Sequence, residues 1–301
     1  MNNTVVIVNP AAGRGRCASM IAPIREAFET RPGCRVRITR HAGDEARLVR
    51  EALGDGAGTI VSCGGDGTWN RCAAAILDAN AAGRVRIAFV AAGTGNDFAK
   101  NLGAPARDVR AMAALVANPG VERHVDVGAV ESGGTTLWFL NVAGFGFDAV
   151  VLADLARARG PRFVRGYTAV ALRRLLDYPG FAFTEGGTQG RSRPAMMLVF
   201  SNGATFGGSF RIAPAARVDD GLLDQVAIGD VRGFARLPLF VRALRGAHVN
   251  HPKVRVARRA RFDLTFAQPP ECDLDGELVQ LASRDATVRA VPRALRVAAP
   301  G

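Results

Sequence analysis

Short apolar runs rich in β-branched residues recur through the first third of the chain, and three of them stop at a polar, glycine-bearing turn. Thr4–Val8 ends at Asn9-Pro10, Thr59–Ser62 at Gly64-Gly65-Asp66-Gly67-Thr68, and Arg86–Val90 at a turn centred on Gly93-Thr94-Gly95-Asn96-Asp97. Arg35–Thr39 is a further run of the same kind, and helical patterns cover 16–30, 44–53 and the stretch from the second turn to about Asp78. Strand alternating with helix predicts a parallel sheet with helices on its faces. Ligands of such sheets bind beyond the carboxyl ends of the strands, where the turns at 9–15, 64–70 and 93–97 fall.

After about residue 125 the pattern changes. Short apolar segments at 125–130, 136–142, 181–184, 195–201, 222–228, 254–256, 261–266, 277–281 and 286–291 are mostly separated by turn residues, which predicts a largely antiparallel β domain. Helical patterns interrupt it at about 147–176 and 231–245. The expected division is 1–125 and 126–301.

The turn Gly64–Asn70 carries the most chemistry. Its three glycines permit positive φ and close backbone approach to a ligand. The helix that follows offers free N–H groups and the positive end of its dipole, a ready phosphate site. Thr68 can cap that helix or meet a phosphate oxygen. A carboxylate at Asp66 repels phosphate unless a cation lies between, which points to Mg²⁺. An ordinary strand-to-helix turn also accounts for this one motif. The second turn, Gly93–Lys100, repeats the ingredients on another strand. No Gly-Lys-Ser/Thr is present, which excludes a Walker P-loop.

With 48% hydrophobic and 22% charged residues over 301 positions, the composition is globular. No apolar stretch approaches membrane-spanning length and the amino terminus lacks a signal-peptide pattern, so a cytoplasmic location is expected. Five cysteines without a Cys-x-x-Cys pair fit a reducing compartment, and Cys63 reads as a buried strand-end residue. The net charge of +12 is uneven: 16 Lys/Arg against 14 Asp/Glu through residue 150, then 23 against 13. Aromatics are only 7%, mostly Phe at core-like spacings, which argues against nucleic acid.

These motifs, in this order, resemble the bacterial members of the diacylglycerol kinase catalytic-domain family, which includes sphingosine and ceramide kinases. The matching pieces are Asn9-Pro10-Ala11-Ala12-Gly13, Thr39 with Gly43-Asp44, the Gly-Gly-Asp-Gly-Thr turn and Gly93–Lys100. They continue with Gly144–Ala149, Ile212-Ala213-Pro214, Asp220–Asp224 and Asp275-Gly276-Glu277. The resemblance implies a Rossmann-like α/β nucleotide-binding domain followed by a β-sandwich-like domain, with final strands that often return to the first. It implies an ATP-dependent, Mg²⁺-dependent lipid kinase, the alternative being a soluble NAD-kinase-like enzyme. Thr39, Gly64, Gly65, Asp66, Gly67, Thr68, Trp69, Asn70 and Thr94 would contact ATP. Glu277 would be the general base with Asp275 beside it. Asp220 would hold Mg²⁺ through its side chain, and Arg217 and Leu222 through their carbonyls. Asp66, Asp97 and Asp126 match a magnesium-linked acidic network. Gly95 departs from the family, which more often has a small or β-branched residue there; no effect on activity is expected.

Asp275-Gly276 between two apolar runs is also a strong hairpin signal. A hairpin tip can still present two carboxylates, which suit base chemistry or metal binding. Two segments carry the basic charge. Arg157, Arg159, Arg162, Arg165, Arg173 and Arg174 lie among Phe163, Val164, Tyr167, Val170 and Leu175; the basic stretch Arg232–Arg261, with Val231 just before it, has Val231, Phe234, Leu237, Val241 and Leu244 at helical spacing. Such segments either lie on an anionic membrane, making the protein peripheral, or pack their apolar stripe and solvate their arginines. Pro238 is expected to disturb a long helix, and the four histidines read as solvated loop residues. A homodimer is left open.

Overall fold

The computed structural model describes residues 3–118, 120–157, 170, 172, 174–186 and 190–300. The chain divides into two compact units, Met1–Asp126 with Pro292–Gly301, and Val127–Val291. In the first unit four parallel strands, β1 (Asn3–Val8), β2 (Cys34–Ile38), β3 (Ala57–Gly64) and β4 (Arg86–Ala91), run in the order β2-β1-β3-β4. Beside β4 lies the end of a long strand, Asp285–Val297, which pairs parallel through Arg296 and Val297.

Alternation along the strands sorts their side chains to two faces. Val6, Val8, Val61, Cys63, Ala88 and Val90 meet Ile24 and Phe28 of α1 (Ile21–Glu29) and Met112, Ala113 and Val116 of α4 (Val109–Ala117). On the other face α2 (Asp44–Gly54) packs on α3 (Asp66–Asp78), where Trp69 meets Phe89 of β4 with ring centroids 5.3 Å apart. Helix α4 was not expected. Its signals are an amino-terminal cap, Asp108 accepting from the Ala111 N–H at 2.9 Å, and apolar residues at helical spacing.

The second unit is antiparallel. Strands β5 (Arg123–Ser132), β6 (Thr135–Phe139), β7 (Val142–Gly146), β8 (Phe181–Glu185), β9 (Ser192–Ser201), β10 (Leu223–Gly229), β11 (Val254–Arg259), β12 (Arg261–Phe266), β13 (Glu271–Leu274), β14 (Glu277–Gln280) and β15 (Asp285–Val297) follow in chain order, β5 and β15 each crossing the boundary between units. They enclose Phe139, Phe145, Phe183, Phe200, Phe262 and Phe266 as a β-sandwich-like core. The run expected at 136–142 is two strands, and β13 was missed because four residues leave almost no periodic signal. A second apolar cluster lies under α5 (Phe147–Arg157) and α6 (Arg236–Leu244). Pro238 falls in the first turn of α6, where the missing N–H breaks no helical bond. Of the first basic segment, Arg159, Arg162, Phe163, Val164, Arg165, Tyr167 and Arg173 lie outside the described residues.

His248 is buried, contrary to a solvated loop. Its Nε2 meets the Ile212 carbonyl at 3.0 Å, and burial holds its pKa below the usual imidazole range. Gly128 faces Phe139 across β5 and β6, and a Cβ there would lie 1.9 Å from the fully buried ring. Gly128→Ala is therefore expected to cost about 1–3 kcal/mol by overpacking, and Phe139→Leu in the same chain should recover part of it. Urea unfolding of the two variants measures this; an unchanged midpoint for Gly128→Ala would show the register to be wrong.

Candidate active site

In the first unit the chain moves from β1 outward to β2 and then crosses to β3. The strand order therefore reverses between β1 and β3, the position where open parallel sheets form a ligand crevice. Asn9 follows β1 there and Gly65 follows β3. The Asn9 side-chain amide donates to Thr68 Oγ1 at 3.0 Å and to Glu45 Oε1 at 3.1 Å, and its oxygen accepts from the Ala11 N–H at 3.0 Å. Glu45 is buried and also receives Arg71 at 3.3 Å. Nothing in the sequence singled out Glu45, since an acidic residue in a first helical turn ordinarily only complements the helix dipole.

The glycines of the two turns work by closeness. None of Gly64, Gly65, Gly67, Gly93 and Gly95 has positive φ, so of the two freedoms that glycine allows the turns use close approach alone. A Cβ on Gly93 would lie 2.4 Å from Gly65 Cα, and one on Gly64 would lie 2.6 Å from Thr68 Cβ. The carbonyl of Gly64 accepts from Ala92 N at 2.7 Å and Gly93 N at 3.0 Å. Gly13, at φ 62°, packs in the same way, its Cβ position 2.1 Å from the Ala92 carbonyl oxygen. Three strand-end loops thus touch through bare backbone. Arg16, unremarked in the sequence, donates to Gly13 O at 3.0 Å and Gly93 O at 3.1 Å, setting a guanidinium beside them.

Asp66 joins the second loop to the third. Its Oδ1 accepts from Phe98 N at 3.2 Å, and the N–H groups of Asp97 and Asn96 also bond its carboxylate. Burial and the neighbouring Asp97 raise its pKa to about 6 against those bonds. Asp97 is buried and pairs with Lys100 at 2.6 Å. Where a Gly95 Cβ would stand, Asp97 Oδ2 lies 3.1 Å away and Asp66 Oδ2 3.2 Å. Two carboxylate oxygens therefore converge on the position that Gly95 leaves open. Asn96, at φ 49°, closes the turn by bonding both the N–H and the carbonyl of Gly93 at 3.0 and 2.9 Å.

The other residues of the expected nucleotide set divide. Thr94 is exposed at the loop tip, while Thr39, Thr68 and Asn70 are buried. Trp69 has no exposed surface, and its backbone N–H is used by Gly65 O at 3.0 Å, so it is a core residue. Asp126 accepts from the Arg293 N–H at 2.7 Å, where β15 turns at Pro292-Arg293. Cys63 is buried and its thiol pKa is raised by burial, as expected of a strand-end residue.

The second unit holds the remaining residues. Asp275 and Gly276, at φ 52° and 88°, form the two-residue turn of a hairpin in which Leu274 pairs with Glu277. Asp275 is enclosed by backbone: Leu140 N at 2.6 Å, Asn141 N at 2.9 Å and Val142 N at 2.9 Å all donate to it. Glu277 is half-buried at the head of β14. In the loop before β10, Asp220 accepts from Leu222 N at 3.0 Å and is ion-paired with Arg258; Arg217 lies 3.3 Å from Asp219.

Comparison with known proteins accounts for both units. Residues 3–130 match the diacylglycerol kinase catalytic domain, and residues 141–299 the YegS C-terminal NAD kinase beta sandwich-like domain. A probable lipid kinase YegS-like of Xanthomonas axonopodis pv. citri is 30% identical over 284 residues, covering 88% of this chain and 86% of that protein. The diacylglycerol kinase of Bacillus subtilis is 27% identical over 286 residues, 92% of this chain and 90% of that protein. The crystal structure of a putative diacylglycerol kinase from Bacillus anthracis superposes with a TM-score of 0.78 at 20% identity, over 99% of this chain and 95% of that one; at that identity the likeness speaks for the fold. With both halves matched in this order, the chain belongs to the diacylglycerol kinase-like family of lipid kinases and is a kinase.

Proposed function

We propose that the chain transfers the terminal phosphoryl group of ATP to the hydroxyl of a diacylglycerol-like lipid, with Mg²⁺. The observation that carries this is the meeting of Gly65 with Gly93 at the reversal point of the sheet, in front of the amino terminus of α3. Backbone N–H groups and a helix dipole converge there with no side chain in the way, a setting suited to phosphates. Arg16 adds positive charge. Phosphoryl transfer asks the protein mainly for positioning and charge stabilisation.

Mg²⁺ ordinarily takes one or two carboxylates and completes its shell with water and phosphate oxygens. The Oδ2 atoms of Asp66 and Asp97, converging on the open position at Gly95, fit that demand. Bound there, the ion would neutralise charge on the phosphates. Asp66→Asn is expected to raise the Mg²⁺ concentration for half-maximal activity by roughly tenfold, one lost charge interaction of about 1.4 kcal/mol. An unchanged Mg²⁺ titration would remove Asp66 from the ion's site. The loop of Asp220, Arg217 and Leu222 has suitable oxygen donors, but Arg258 and the Leu222 N–H already satisfy the Asp220 carboxylate. No step is assigned to an ion there.

Glu277 is the general base, taking the proton of the lipid hydroxyl as its oxygen bonds the γ-phosphorus and the bond from that phosphorus to the bridging oxygen of ADP breaks. Asp275, bound to three N–H groups, holds the hairpin that carries it. Glu277→Gln should lower kcat by about 10²–10⁴-fold while nucleotide affinity, measured by calorimetry, stays within about twofold. Wild-type turnover would eliminate the assignment. A kinase acting on NAD is a second reading, favoured by the family description of the carboxyl-terminal match.

The substrate's source is a bilayer with anionic lipids. The outer face of α6 and the turn before it expose Phe234 (77%), Val241 (55%) and Leu244 (38%), with Arg232, Arg242 and Arg245 also exposed beside them. Val231, Leu239 and Ala243 face inward instead. Apolar side chains flanked by arginines suit an anionic interface. Phe234→Ser with Val241→Ser should weaken co-sedimentation with anionic vesicles by at least about tenfold, at about 25 cal/mol per Å² of lost apolar burial. Equal binding by wild type and variant would rule out this face. No described helix is long and apolar enough to cross a membrane.

A further inference from the structure

Two buried carboxylates lie behind the hairpin that carries Glu277. Asp273 of β13 pairs directly with Gly144 of β7. Residues directly opposite in an antiparallel pair point to the same face, with Cβ atoms about 5 Å apart. Gly144 has no side chain, and where its Cβ would stand, Asp148 Oδ2 is 1.5 Å away. The carboxylate of Asp148 therefore occupies the side-chain space of Gly144, beside Asp273.

Both residues are almost fully buried, at 0% and 1% exposure. Asp148 Oδ1 accepts from Ala149 N at 3.0 Å, and Asp273 Oδ1 from Gly276 N at 2.7 Å. The Oδ2 atom of each has no donor among the described residues. Among the described residues the titratable groups that bear on them are Cys272, Tyr178, Asp275 and Glu277, none of them cationic. Arg236 acts on Asp230, Tyr178 and Asp177 rather than on the pair, its guanidinium held by the carbonyls of Val231, Leu175 and Tyr178. Two adjacent carboxylates in so dry a place cannot both ionise. One proton between the two Oδ2 atoms satisfies both at once.

We propose that Asp148 and Asp273 form a carboxylic acid–carboxylate pair sharing one proton, and that this pair positions the Asp275-Gly276-Glu277 turn for catalysis. The link is the bond from Gly276 N to Asp273 Oδ1, which fixes the turn from behind. Loss of the shared proton sets two negative charges against each other and pulls Asp273 from Gly276. The positioning role rests on Glu277 being the base; the shared proton does not. Burial raises the pKa of Asp148 to about 7, and burial with the charge of Asp148 raises that of Asp273 well above the carboxylate range. Both pKa values are raised, so the stability they contribute is whole below the ordinary carboxylate pKa. It is lost as pH rises through about 7 for Asp148.

Asp148→Asn tests the pair, since an amide keeps a donor toward Asp273 but cannot lose its proton. Urea unfolding from pH 4 to 7 should show the wild-type folding constant falling with pH, by up to tenfold per unit for each proton, and the variant falling by one proton less. The alkaline fall of wild-type kcat should shift or vanish in the variant, with KM for ATP within about twofold. Infrared spectroscopy of the wild type at pH 7 should show a buried protonated carboxyl band, which needs no variant to fold. Equal stability slopes, or absence of that band, would overturn the shared proton. A changed slope with an unmoved pH–rate profile would overturn the positioning role. If Glu277→Gln stays active, the unfolding and infrared arms still report on the pair.

Discussion

The backbone contact between Gly65 and Gly93 is the constraint on which the candidate nucleotide site depends. A side chain on Gly93 would overlap Gly65, and one on Gly65 would come within 3.0 Å of Gly93 Cα. Because the loops after β3 and β4 touch in this way, Asp66 can reach the N–H groups of residues 96–98 and tie the loops together. The same closeness brings the Asp66 and Asp97 carboxylates toward one point at Gly95. Glycine is required here for space, since the backbone angles are ones that other residues adopt.

Carboxylates in dry surroundings recur in both units, and each is resolved differently. Asp66 leans on backbone N–H groups yet keeps a raised pKa, which leaves it receptive to a cation. Asp275 sits in a cradle of three N–H groups. Asp220 is neutralised by Arg258. Asp148 and Asp273 have, among the described residues, neither a cation nor a donor for either Oδ2, and the proposed shared proton is the way to satisfy them. The family's acidic residues therefore need not share one role, and burial with donor count tells them apart.

The α/β unit was largely legible because its strands end in turns whose residue types are physically demanding. Thr4–Val8, Thr59–Ser62 and Arg86–Val90 fall within or match β1, β3 and β4, and helix α3 ends at Asp78 as expected. Asp275-Gly276 read as a hairpin and is one. What was not legible depends on contacts across the chain. Glu45 and Asp148 look like helix-terminal acids until the fold buries them, and Gly144 gives no hint that another residue's carboxylate fills its place. Strand β7, Val-Ala-Gly-Phe-Gly, has low strand propensity by itself and is held by β9 and β13. The stripe read over Val231–Leu244 mixed inward and outward residues because the helix starts only at Arg236.

The central claim is that a nucleotide cradle of bare backbone serves a lipid acceptor. Its most direct test is incubation of the full chain with γ-labelled ATP and Mg²⁺, with diacylglycerol and related lipids in mixed micelles and NAD in the same vessel. Label is expected in the organic phase, in a phospholipid separable by chromatography. Label in NAD with none in any lipid would contradict it.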